Sequence, residues 1–108
     1  MEMLSAEGVE VTPFAFPFGR DPGLLRLHLE RLATDLGATM AAAEEWRERL
    51  APVRALAHEI DALCWRERKA TPDEAHAWLI SCSDFWGEPD RYAQEARAFV
   101  AQAKGRSP

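Results

Sequence analysis

The chain has 108 residues, a size that fits one hydrophobic core, and nothing in its composition divides it. A 47% hydrophobic and 29% charged content excludes disorder, because burying that much apolar surface offsets the entropy of ordering the chain. The formal net charge of −5, from 18 acidic against 13 basic residues, repels phosphate backbones and excludes non-specific nucleic-acid binding.

No apolar run reaches the ~18 residues that cross a bilayer, and residues 1–10 have neither a basic nor an apolar targeting region. A cytoplasmic protein without a membrane partner is the expectation. Cys64 and Cys82 are too few and too far apart for a disulfide framework or a paired-cysteine metal site, so both are expected as buried or partly buried free thiols.

In chain order, Val9 to Phe18 alternates apolar and other residues, but Pro13 and Pro17 remove backbone donors and forbid a central strand. An extended arm or short edge strand follows, assigned to residues 1–20, with Phe14, Phe16 and Phe18 on one side. Asp21 then caps a helix with Pro22 at its first position, and Gly37 stops it. Leu25, Leu29, Leu32 and Leu36, with Leu24 alongside, form its apolar face.

A longer helical pattern runs from about Met40 to Lys69, with Ala43, Trp46, Leu50, Val53, Ala57, Ile60 and Cys64 spaced by three and four residues. Pro52 lies inside it and predicts a kink or two helices meeting; the unbroken spacing favours the kink. Thr71-Pro72-Asp73-Glu74 reads as a capping box that opens a third helix, with Ala75, Trp78, Leu79 and Cys82 inward and an end near residues 85–87. Pro89 opens a fourth helix with Tyr92, Ala96, Phe99, Val100 and Ala103 buried and Gly105 closing it. The prediction is therefore all-α: about four helices in a small bundle around one long Pro-kinked helix, with a helical domain over 21–104 and a frayed tail over 105–108.

No complete catalytic, metal or cofactor signature is present. His28, His58 and His76 stand on three helices outside any ligand pattern. His58, Glu59 and Asp61 share a turn and would make an acid–base site only if a dimer completed it; a solvated helix face is the plainer reading. Gly19-Arg20-Asp21-Pro22-Gly23 lacks phosphate-loop spacing and reads as a turn and cap. No catalytic residue, cofactor or metal is assigned.

What remains is aromatic. Phe14, Phe16 and Phe18 form a stripe that needs a surface, on this chain or on a partner. Of the four tryptophans, Trp46 and Trp78 fall on core faces, whereas Trp65 and Trp86 are candidates for an interface, with a second buried layer as the alternative.

The order of segments resembles one region of the 2-hydroxyacyl-CoA dehydratase and benzoyl-CoA reductase subunit family. The residues that carry it are Thr12-Pro13-Phe14 to Gly19, Leu29 to Gly37, Ala43 to Lys69, Thr71-Pro72 to Ala75-His76, and Gly87-Glu88-Pro89-Asp90, nearly all of Val9 to Lys104. Such subunits have α/β lobes with helical additions, hold an iron–sulfur cluster through cysteines and use an ATP-dependent activator. This chain has no such lobe and no cluster-ligand cysteine pattern. The resemblance therefore implies a helical segment that supports, covers or docks something else, and no catalytic residue carries over. The functional expectation is a non-catalytic accessory or partner-binding module; the alternative is a free-standing helical protein that dimerises and regulates or inhibits a protein partner.

Overall fold

A computed structural model describes Met3 and residues 6–108, and residues 1, 2, 4 and 5 of the expected arm lie outside the described residues. Among the described residues there are five α-helices and no strand: α1 (Pro22–Asp35), α2 (Met40–Arg49), α3 (Ala51–Trp65), α4 (Pro72–Leu79) and α5 (Pro89–Lys104), with a 3₁₀ turn at Phe85–Gly87. The chain forms two compact units, Met1–Arg47 and Glu48–Pro108. The stretch expected as one helical domain, 21–104, spans both.

In the first unit, residues 9–17 have no regular secondary structure, so the edge-strand option is not taken, and Met3 and Ala6, inside the stretch expected as an extended arm, have helical backbone. Asp21 caps α1 as its position predicts, its carboxylate accepting from the Leu24 N–H at 2.9 Å. Gly37, at φ +75°, takes the left-handed conformation that ends the helix. Thr39 caps α2 by accepting from the Ala42 N–H at 3.1 Å. No described residue from 6 to 47 is buried.

The expected long helix is two helices. The ring of Pro52 crowds the carbonyl of Glu48 and supplies no N–H to it, so the ladder fails in that turn. Leu50 keeps helical angles between α2 and α3, and the Arg54 N–H bonds its carbonyl at 3.0 Å. At the other end α3 stops at Trp65, four residues short of Lys69. Arg68 turns left-handed at φ +55°, and the Lys69 and Ala70 N–H groups both bond back to the Leu63 carbonyl. That turn buries Ala70 and lets Lys69 donate to the Lys104 carbonyl at 3.0 Å. Tertiary contact overrides a local charge pattern that favoured more helix.

In the second unit α3 packs against both α4 and α5. Val53, Ala57 and Ile60 are buried as their spacing predicts, and Leu63, outside that seam, is fully buried too. Burying a side chain such as Ile60 or Leu63 contributes about 1.5–3 kcal/mol. Opposite them α5 presents Ala93, Ala96 and Ala103, whose small side chains let the helices approach, together with Tyr92 and Val100. Tyr92 is fully buried and its hydroxyl donates to the Trp78 carbonyl at 2.9 Å.

The Thr71 capping box forms in full: the Glu74 N–H donates to Thr71 Oγ1 at 3.2 Å, and the Thr71 N–H to Glu74 Oε2 at 2.9 Å. The helix it opens is shorter than expected, ending at Leu79. Ser81, Cys82, Ser83 and Asp84 turn instead, and Asp84 accepts from the Trp86 N–H at 3.1 Å. Cys82 thus lies beyond the helix and is exposed, against the expectation of an inward thiol; Cys64 is half-buried as expected. The expected frayed tail is tied at Arg106, which donates to Glu74 at 2.8 Å and to the Lys69 carbonyl at 3.3 Å.

Candidate interaction surface

The apolar side chains of the first unit are partly buried at most. Leu29, Leu32 and Leu36 share one side of α1, and Met40 and Ala43 the facing side of α2; with Ala33 and Ala38 they line an open groove of about 450 Å³ edged by Glu44 and Arg47. The leucine face is therefore the one the spacing predicts, but it is not core. Leu36 is 69% exposed, Leu27 50%, and Leu24 and Leu29 about two-fifths.

The charges beside this groove are matched. Arg47 donates to both oxygens of Glu44, at 2.6 Å from Nη2, and holds that carboxyl below the usual carboxylate range. Elsewhere on α1, Arg26 pairs with Glu30 at 2.9 Å. With the two charged lining residues paired to each other, selection by the groove falls to apolar contact.

The arm runs on another side of α1. Phe14 meets His28 edge-on with centroids 6.3 Å apart, and Pro13 and Ala15 border a small hollow with His28, Arg31 and Asp35. Phe16 is 72% exposed and Phe18 fully so. A second apolar hollow, of about 360 Å³, lies between Phe16, Pro17 and Leu25 around the Asp21 turn.

The two tryptophan candidates lie in the second unit and differ. Trp65 is 63% exposed, with the Arg66 guanidinium 4.9 Å above its ring. Trp86 is half-buried in an aromatic cluster, its ring 5.5 Å from Trp78 and 4.9 Å edge-on to Tyr92. It is held there by three successive positive φ angles, at Phe85, Trp86 and Gly87. The first two cost of order 1–3 kcal/mol each, offset by the burial of Phe85 and the ring contacts of Trp86. Trp78 packs on the core as expected, whereas Trp46, expected inward, is half-exposed.

His58, Glu59 and Asp61 do not gather into one site. His58 and Asp61, with Arg54 and Ala57, face an open groove of about 420 Å³ whose other wall is Leu79 and Cys82. Glu59 turns away and pairs with Lys104 of α5. An imidazole beside a thiol is raw material for nucleophilic chemistry, yet no hydrogen bond joins Cys82 to His58 or Asp61 among the described residues. Nor do any three His, Cys, Asp or Glu side chains among the described residues stand where they could hold one metal ion. No helix among the described residues is long and apolar enough to cross a membrane.

Sequence reasoning missed Leu27 and Ile80 as exposed apolar residues; Ile80 is 65% exposed at the end of α4. The signal was present for Leu27, which falls off the stripe that Leu25, Leu29, Leu32 and Leu36 define. No protein-family model, curated protein or solved structure matches the chain.

Proposed function

We propose that the chain is a non-catalytic helical module that works by binding protein through the apolar face of its first unit. The observation that carries this reading is the contrast within one sequence: the second unit buries a continuous core, while residues 6–47 bury nothing yet carry Phe14, Phe16, Phe18, Leu24, Leu27, Leu29 and Leu36 at the surface. Exposed apolar surface on this scale, the groove between α1 and α2 above all, marks an interaction site. A helix pair that fully buries no side chain lacks much of the term that offsets chain ordering, so an occupant that covers its apolar face would also stabilise it.

Within this reading, the order of segments from Thr12-Pro13-Phe14 to Glu88-Pro89-Asp90 supports placing the module beside subunits of the 2-hydroxyacyl-CoA dehydratase and benzoyl-CoA reductase kind, as a helical accessory. The alternative occupant is a second copy of the chain.

Photo-crosslinking in cells tests the reading. Leu36→p-benzoylphenylalanine should give discrete covalent adducts, and the same replacement at Gln102, on the exposed side of α5, should not. Adducts at neither site, or equally at both, would overturn the assignment. The mass of the adduct separates the occupants: an α/β cluster-bearing subunit supports the accessory role, and twice the chain mass supports self-association.

A further inference from the structure

We infer that Cys82 is a modification site: its thiol, on one wall of the groove between α3 and the turn that follows α4, exchanges with a small disulfide that carries both an ammonium and a carboxylate group. The site lies wholly within the second unit and does not depend on the first unit's apolar face.

Access sorts the two thiols. Cys64 is half-buried and packs against the core, whereas Cys82 stands in the turn over residues 80–84 and is exposed. Exchange needs a thiolate that the sulfur of a disulfide can reach, so Cys82 reacts and Cys64 does not. It needs no base hydrogen-bonded to the sulfur, which sets it apart from catalysis by a paired cysteine and histidine.

The groove supplies the rest of the site. Its volume of about 420 Å³ falls within the range of small-molecule sites, about 300–1,000 Å³. Beside apolar Leu79 and Ala57 it is lined by one guanidinium, Arg54, one carboxylate, Asp61, and one imidazole, His58. Lining charges of mixed sign favour neither a polyanion nor a polycation, whereas a ligand with both charges can set its ammonium on Asp61 and its carboxylate on a His58 ring N–H. Disulfides derived from amino acids join those two charges to the S–S bond that Cys82 needs. In the exchange the Cys82 thiol gives its proton to water, and its thiolate attacks one sulfur of the disulfide. A new S–S bond forms at Cys82 as the old one breaks, and the other half leaves as a thiolate and takes up a proton. Cys82 is oxidised as the small disulfide is reduced, and excess free thiol reverses the step.

Intact-mass spectrometry of the full chain treated with cystine, and with uncharged di(hydroxyethyl) disulfide as the reference, tests this. A single half-cystine should add per chain, located at Cys82 and not at Cys64 by peptide mapping. The rate with cystine relative to the uncharged disulfide should fall about two- to fivefold in His58→Ala, and by a similar factor in Asp61→Asn, the worth of one exposed ion pair each. Both side chains are exposed, so the variants are expected to fold, and an unreactive Cys64 reports that they have. A relative rate that stays the same in both variants would overturn the inference, because Cys82 would then react as an exposed thiol with no ligand held in the groove. The absence of an adduct, or equal adducts at Cys64 and Cys82, would overturn it as well.

Discussion

Glu74 ties together three parts of the second unit: its own backbone N–H and that of Thr71 join it to the start of α4, and its carboxylate receives Arg106 from the chain's end. Arg106 and then the Thr71 N–H hold its carboxyl down to about 2, from an ordinary 4.5. The folded state therefore binds this proton less readily than the unfolded chain. Its contribution is complete above about pH 4.5 and is lost as pH falls toward 2. Acid titration of folding should show Glu74→Gln losing stability at neutral pH and flattening the acid limb between those values; an unchanged limb would mean that Arg106 is not bound in solution. The Tyr92 hydroxyl is the donor to the Trp78 carbonyl inside the aromatic cluster, and burial raises its pKa. Tyr92→Phe should cost about 1–2 kcal/mol in denaturant unfolding, since the carbonyl then loses its side-chain donor.

The junction of α2 and α3 lies at the Pro52 ring. If Pro52 alone interrupts the ladder, Pro52→Ala should extend helix through Leu50, raise helicity by circular dichroism and stabilise, not destabilise; unchanged helicity would locate the break in packing instead. Where an element's boundary is set by its own residues, it was legible. Asp21 with Pro22, Thr71 with Glu74, and Gly37 each satisfy or terminate a helix within four residues of themselves. The buried stripe of α5 was legible for the same reason, because its spacing is a property of one helix. The ends of α3 and α4 were not. The Lys69–Lys104 contact and the burial of Ala70 stop α3 through partners 35 residues away in sequence. The turn after Leu79 depends on Asp84 gripping Trp86 and on the pocket that receives Phe85.

At the scale of the molecule, the seam from Ala43 to Cys64 reads as one continuous apolar stripe, and the fold uses it as two. Val53, Ala57 and Ile60 enter the core of the second unit, whereas Ala43 and Trp46 stay at the surface of the first. Periodicity shows that a face is apolar but not what covers it, so the leucines of α1 and the arm's phenylalanines were legible as sticky and illegible as exposed. That exposure is the basis of the functional account. Amide hydrogen exchange along the full chain tests it most directly. Slow exchange in α3 and α5 and fast exchange in α1 are expected of the isolated chain, because only the second unit buries a core. Protection of α1 that matches α5 would contradict the reading of the first unit as an uncovered apolar face.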